Sequence, residues 1–144
     1  MLSACATYRP SRIRTGDMAE TGWTATRYFP VDQAAIETAW MQGEASWYGS
    51  YHQGRRTATG ERFNMYRFTA AHKSLPFNTV VRVTREDTGA SVLVRINDRG
   101  PYSEGRIIDL SFAAAHALRS VSEGVVDVRL EVVEWGDGAV YEDR

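Results

Sequence analysis

From residue 43 onward the chain breaks into short apolar runs separated by Gly, Pro, Asn and Asp, the pattern of small strands joined by tight turns. The clearest run covers residues 91–97. Val92, Val94 and Ile96 fall on one face of it, and Ser91, Arg95 and Asn97 share the other with Leu93. Just upstream, residues 79–84 form a second β-branched run. Glu86, Asp87, Thr88 and Gly89 supply turn chemistry between the two, so they are expected to pair as a hairpin. Near the C-terminus Val126, Val128, Leu130 and Val132 alternate with Asp127, Arg129, Glu131 and Val133, a half-buried closing strand with Trp135 capping the core. One helix interrupts the strands: Ser111 is its N-cap, and Phe112, Ala115 and Leu118 recur at helical spacing. Many short strands with a single helix predict a small closed barrel rather than a layered α/β fold.

Residues 6–40 show neither sustained alternation nor a helical face, and read as a tether or wrapping arm with one short helix over 31–40 that docks through Trp40. A length of 144 residues fits one domain. The expected division is a remnant at 1–5, an arm at 6–42, a barrel at 43–135 and an acidic tail at 136–144. A net charge of −1 gives no basic face and disfavours a nucleic-acid partner. No run approaches the roughly 18 apolar residues of a spanning helix.

The one cysteine, Cys5, excludes an intramolecular disulfide. Leu2-Ser3-Ala4-Cys5 resembles the bacterial lipobox, in which small residues admit the signal peptidase and the cysteine takes the lipid. The charged and apolar parts of a secretory signal do not precede it in the sequence, so residues 1–5 are expected to be the end of a truncated signal peptide. The competing reading is a free thiol on an N-terminal arm.

Two segments place lone carboxylates inside Gly-rich, Arg-flanked turns: Glu61 after Gly54-Arg55-Arg56-Thr57-Ala58-Thr59-Gly60, and Asp98 within Asn97-Asp98-Arg99-Gly100-Pro101. Turns on a rigid scaffold present side chains to ligands without disturbing packing, so these are the candidate acid and base. The plainer readings are an Asx-turn residue for Asp98 and a solvated carboxylate for Glu61. No Cys/His/Asp grouping has zinc-site spacing, and neither a metal nor another cofactor is expected.

Residues 43–134 resemble the rare lipoprotein A family. The resemblance rests on Ala45-Ser46-Trp47-Tyr48-Gly49, the Gly54 to Glu61 turn, Thr69-Ala70-Ala71-His72, Leu75-Pro76-Phe77, Val92 to Pro101 and Arg106-Ile107-Ile108-Asp109-Leu110-Ser111, all in the family's order. It implies a mainly β fold, a six-stranded double-psi β-barrel with one or two short helices. It also implies a bacterial envelope protein on the periplasmic face, lipid-anchored through Cys5 with outer-membrane sorting favoured. The arm would then give a reach of roughly several tens of Å. Asn78 stands where the family commonly has Gly, which a positive-φ turn tolerates.

The activity implied is that of a lytic transglycosylase, which cuts the β-1,4 bond of peptidoglycan strands lacking stem peptides and leaves a 1,6-anhydromuramyl end. The family's functional residues carry over onto Glu61, His72 and Asp98. Asp98 is expected to protonate the leaving oxygen and then to take the proton of the attacking C6 hydroxyl, while Glu61 presses on it as a like charge, stabilises the positive sugar ring or shares the proton transfer. Arg99 is expected to turn toward backbone carbonyls, Asp109 or substrate. His72 is either a strand-end structural residue or a group that orients a carboxylate or meets a sugar hydroxyl.

Flat apolar surfaces suit sugar rings, and Trp47, Tyr48, Tyr51, Phe63, Tyr66 and Tyr102 lie near the motif turns. At least half are expected to be core, with Tyr51 and Tyr102 the better platforms and Arg55 and Arg99 as substrate contacts. The expected partner is the glycan strand; division-site partners stay open. The alternative is a non-catalytic glycan-binding envelope module on the same barrel.

Overall fold

The computed structural model describes residues 41–141. Cys5, the helix expected over 31–40 and Trp40 lie outside the described residues. Six strands follow in order: β1 (Gln42–Tyr48), β2 (Thr69–His72), β3 (Val80–Arg85), β4 (Ser91–Asp98), β5 (Arg106–Ser111) and β6 (Val126–Glu134). They close into a barrel with the order β1-β5-β2-β4-β3-β6. The pairs β1/β5 and β2/β4 run parallel and every other neighbour antiparallel. This is the double-psi arrangement, in which the partners of each parallel pair are separated in sequence by other strands of the barrel.

The hairpin expected from the alternation is β3/β4, with Val81 opposite Val94 and Val83 opposite Val92. Val81, Val83, Val94, Ile96, Val128 and Leu130 are essentially inaccessible and meet Leu75, Ile108 and Leu110 inside the barrel. Each such side chain contributes about 1.5–3 kcal/mol through burial. Alternation places Arg95 and Asn97 on the outside of β4, where the functional chemistry is built.

The one α-helix among the described residues, α1 (Phe112–Ala117), begins where the sequence places its cap: the Ala114 N–H donates to Ser111 Oγ at 3.3 Å. That hydroxyl in turn donates to the Arg67 carbonyl, which ties the helix start to the end of the long 49–68 excursion. Ala114, Ala115 and Leu118 are the buried positions, whereas Phe112 is partly exposed and meets Trp47 edge-on with ring centres 5.7 Å apart.

The 49–68 excursion opens with a single 3-10 turn, Ser50–His52, and then folds back on itself. The Gly54 N–H reaches the Phe63 carbonyl at 2.9 Å and the Phe63 N–H the Arg55 carbonyl at 2.7 Å. Its tip, residues 57–60, is pinned from both sides: the Thr59 N–H donates to the Asn97 carbonyl on β4, and the Tyr141 N–H donates to the Thr59 carbonyl. The segment beyond β6, read from its charge as a tail, is laid along the barrel as far as residue 141. The Gly136 N–H bonds to Thr79 Oγ1 and the Gly138 N–H to the Phe77 carbonyl. Trp135 packs against the core.

Candidate active site

Both candidate carboxylates are held by the same five-residue turn. The Ala58 N–H donates to Asp98 Oδ1 at 2.9 Å, and Thr59 Oγ1–H donates to Glu61 Oε1 at 3.1 Å. Thr57 Oγ1 lies 2.9 Å from Thr59 Oγ1 and donates to the Glu61 carbonyl at 3.0 Å, so two buried hydroxyls stiffen the turn. Glycine is required at its end: Gly60 has a φ of 91°, and a Cβ there would sit 1.9 Å from the Tyr141 carbonyl oxygen.

Glu61 is gripped by Arg95, whose Nη1 lies 2.5 Å from Oε1 and whose Nη2 lies 2.8 Å from Oε2. Burial pushes the Glu61 carboxyl up, but the hydrogen bonds and charge of Arg95, with help from Thr59 and Asn97, outweigh it and hold the group below its ordinary range. Glu61 is therefore an anion at neutral pH. Arg95 is itself oriented, donating at 3.1 Å to Asn78 Oδ1, while Asn78 Nδ2 donates to Asp137 at 2.7 Å and to the Tyr141 hydroxyl at 3.3 Å. Asn78 has a φ of 69°, a left-handed conformation that Asn adopts more readily than other residues with a side chain.

Asp98 ends β4 and meets backbone only: Oδ1 accepts from the N–H groups of Ala58 and Arg99, each at 2.9 Å. Both donors fall on one oxygen, and among the described residues no hydrogen bond is made to Oδ2. The Tyr48 phenol is buried against Phe63, its hydroxyl has no hydrogen-bond partner among the described residues, and burial with the charges of Asp98 and Asp109 pushes its pKa up. Tyr48 thus stays a neutral O–H donor.

His72 is buried and serves the backbone through one nitrogen. Nδ1 accepts from the N–H groups of Ser74 and Leu75, both at 3.1 Å, so the ring proton lies on Nε2. Burial, followed by the charges of Arg99 and Lys73, pushes its pKa down to about 4. His72 is accordingly a neutral N–H donor near pH 7 and not a general base. Arg99 turns to the carbonyls of the same corner, donating to Leu75 at 2.8 Å and His72 at 3.2 Å with its guanidinium 3.8 Å from the Phe77 ring centre. Of the alternatives open for Arg99, the backbone carbonyls are the ones realised. Asp109 is taken by Ser46, whose Oγ–H donates to it, and by Arg106.

Of the six aromatics near the motif turns, Phe63 is buried, Trp47 and Tyr48 are largely packed, and Tyr51, Tyr66 and Tyr102 stand out in solvent. Tyr102 is 86% exposed and Tyr51 74%; the Arg55 guanidinium covers one face of Tyr51 at 4.1 Å. Arg95, Asn97 and Thr59 are the residues the reading of turns passed over. The signal of Arg95 and Asn97 was the outward polar face of β4, and Thr59 stood inside the Gly54 to Glu61 turn; only the folded loop shows that these groups meet.

A family model described as lytic transglycolase matches residues 41–130. Among curated relatives, the endolytic peptidoglycan transglycosylase RlpA of Neisseria meningitidis serogroup A is 44% identical over 137 residues, 95% of this chain and 56% of that protein. The protein of the same description from Vibrio cholerae is 53% identical over 91 residues, 63% of this chain and 35% of its own length. A probable one from Nostoc sp. is 58% identical over 95 residues, 65% of this chain and 26% of its own. The chain thus spans about half or less of the length of these relatives. Two solved structures share the fold: the Streptomyces papain inhibitor, with a TM-score of 0.55 and 22% identity over 67% of this chain and 96% of that one, and the apo expansin of Clavibacter michiganensis, with 0.53 and 24% over 66% and 50%.

Proposed function

The chain belongs to the rare lipoprotein A family of lytic transglycolases, and on that footing we propose that it is an endolytic peptidoglycan lytic transglycosylase. It cleaves the β-1,4 bond between N-acetylmuramic acid and N-acetylglucosamine on strands lacking stem peptides. The observation that carries this reading is the division of labour imposed by the 57–61 turn on two carboxylates: Glu61 is fixed as an anion by Arg95, whereas Asp98 is held by backbone N–H groups on one oxygen with the other left for a proton. Pairs of carboxyl groups set in unlike environments are the means by which one site supplies both an acid and a negative charge.

In the reaction, Asp98 Oδ2–H gives its proton to the glycosidic oxygen as the C1–O4 bond breaks, and positive charge builds on the muramyl ring. The Glu61 anion stabilises that charge. The C6 hydroxyl of the same muramyl unit then bonds to C1, and its proton passes to the Asp98 carboxylate. The acid is regenerated, no water is consumed, and the product is a 1,6-anhydro ring. The Nε2–H of His72 is a neutral donor for a sugar hydroxyl, and Tyr51 and Tyr102 offer faces for flanking rings.

The same reading places the protein in the bacterial envelope, on the periplasmic face, anchored by lipid on Cys5 in the outer membrane. Incubating the full chain with intact and with amidase-stripped sacculi, and analysing soluble products by mass spectrometry, tests the activity. Release of 1,6-anhydromuramyl ends by the parent and not by Asp98→Asn is expected, with the stripped material preferred. No release from either, with the protein still pelleting on glycan, overturns the enzyme in favour of a binding module.

A further inference from the structure

The segment beyond β6 reaches the candidate site, although the family model matches only as far as residue 130. Gly136, Asp137 and Gly138 lie tightly against the turn before β3. The Gly136 N–H bonds to Thr79 Oγ1 and the Gly138 N–H to the Phe77 carbonyl, both at 3.0 Å, and a Cβ on Gly136 would overlap that same carbonyl. Asp137 is thereby set beside Asn78, and its Oδ1 accepts from Asn78 Nδ2 at 2.7 Å and from the Ala139 N–H at 3.0 Å. Tyr141 brings its hydroxyl to 3.3 Å from Asn78 Nδ2 and donates its N–H to the Thr59 carbonyl at 2.7 Å.

The backbone of Asn78 is pinned, its N–H donating to the Ile96 carbonyl at 2.8 Å, so the end of its side chain is what can still turn. An amide end has a donor side and an acceptor side of nearly the same shape, and its neighbours decide which way round it lies. A guanidinium only donates, so Arg95 needs the oxygen; a carboxylate only accepts, so Asp137 needs the NH2. With Asp137 in place the two demands agree: Nδ2 faces the 136–141 segment and Oδ1 receives Arg95 Nη1 at 3.1 Å. That same Nη1 lies 2.5 Å from Glu61 Oε1. Take the acceptor at 137 away and the Tyr141 hydroxyl, which can donate or accept, does not select either orientation. Turned over, the amide sets its NH2 against the guanidinium and pushes the Nη1 arm off Glu61.

We propose that Asp137 is a positioning residue for the reaction: as an acceptor outside the catalytic pair, it fixes the orientation of the Asn78 amide and, through it, the grip of Arg95 on Glu61. The inference rests on the lyase reading, in which the Glu61 anion stabilises the charged sugar ring, and it extends the working unit beyond the barrel strands into the 136–141 segment. Glu61 faces Arg95 from β4, Arg62 and Arg67 across the cavity that all four line, the Tyr141 phenol from the C-terminal segment and Asp98 across the 57–61 turn. Of these groups Arg95 is the one that binds both carboxylate oxygens, so its grip is the route by which Asp137 acts.

The test uses the full chain, with the Glu61 carboxyl followed across pH by carboxyl-carbon NMR, which needs no substrate. Asp137 is a partly exposed position, and its change empties no part of the core. In Asp137→Ala, Glu61 is expected to titrate at least about half a pH unit higher, because a loosened Arg95 opposes burial less. Release of anhydromuramyl ends is expected to show kcat lower by about tenfold with KM little changed, the cost of a misplaced charge. The acid limb of the kcat profile should move to higher pH with the Glu61 midpoint, since the Glu61 anion is then lost earlier on acidification. Asp137→Asn keeps an acceptor oxygen and is expected to restore both readouts. In an Asn78→Gly background there is no amide to orient, and adding Asp137→Ala is expected to change nothing further. An unshifted Glu61 or an unchanged kcat in Asp137→Ala, an Asp137→Asn protein that behaves like the alanine variant, or a further shift in the Asn78→Gly background overturns the assignment. If the parent releases 1,6-anhydro ends and the Glu61 midpoint stays in place, the positioning role alone falls. If the midpoint moves as expected and the parent releases no ends, the lyase reading alone falls.

Discussion

Arg95 closes on Glu61 with both arms of its guanidinium, at 2.5 and 2.8 Å, across 34 residues of sequence. The fork is what overrides burial and keeps Glu61 ionised. Replacing Arg95 by Gln leaves burial to act alone, so the Glu61 carboxyl is expected to titrate at higher pH, visible in carboxyl-carbon NMR. Stability should fall by about 1–3 kcal/mol, and glycan release should fall with it. An unshifted Glu61 resonance counts against the pairing as its cause.

Asp98→Asn preserves the acceptor that Ala58 and Arg99 bond to, because an amide oxygen takes the place of Oδ1. Thermal unfolding is therefore expected to change little, while release of anhydromuramyl ends drops by at least about 100-fold, the usual share of a positioned acid. Substantial residual turnover in a well-folded variant assigns the acid elsewhere.

His72 makes stability depend on pH in a defined direction. Its folded pKa of about 4 lies below its ordinary value of 6.5, so between these pH values the unfolded chain holds the extra proton. Stability is complete above about pH 6.5 and is lost as pH falls toward 4, by up to roughly 3 kcal/mol from this one group. Urea denaturation at pH 7 and pH 4.5, for the parent and for His72→Asn, measures it. The variant keeps an acceptor for Ser74 and Leu75 and is expected to lose less stability on acidification. Identical acid sensitivity in the two proteins moves the effect to other groups.

Gly60→Ala forces a Cβ onto the Tyr141 carbonyl and strains a backbone at φ 91°. It is expected to detach the 136–141 segment from the 57–61 turn, speeding amide exchange at Tyr141, whose N–H is bonded to Thr59, and to cost about 1–3 kcal/mol. Asn78→Gly, at φ 69°, relieves strain but removes the side chain that steers Arg95. Stability near the parent's with reduced turnover is the expected outcome there, and unchanged turnover shows that Arg95 needs no steering.

The alternation of residues 79–84, 91–97 and 126–133 determined strands β3, β4 and β6, because those strands have a wet face and a dry face and the sequence records the difference. Ser111 with the apolar spacing after it determined α1, and the Gly-rich turns determined where to look for Glu61 and Asp98. Strand β2, Thr69–His72, left no such trace: it is four residues long, buried along its whole length and covered on its outer side by the 49–68 excursion, so no period-two contrast survives. Only the closed barrel decided which groups meet. Arg95 reads from sequence as one outward polar residue among several, and its partner is a carboxylate brought over by a loop that Thr59, Asn97 and Tyr141 hold in place. Periodicity encodes the environment of a residue along its own strand. The identity of what packs against that strand is a property of barrel closure, and the ionisation of Glu61 and of His72 follows from it.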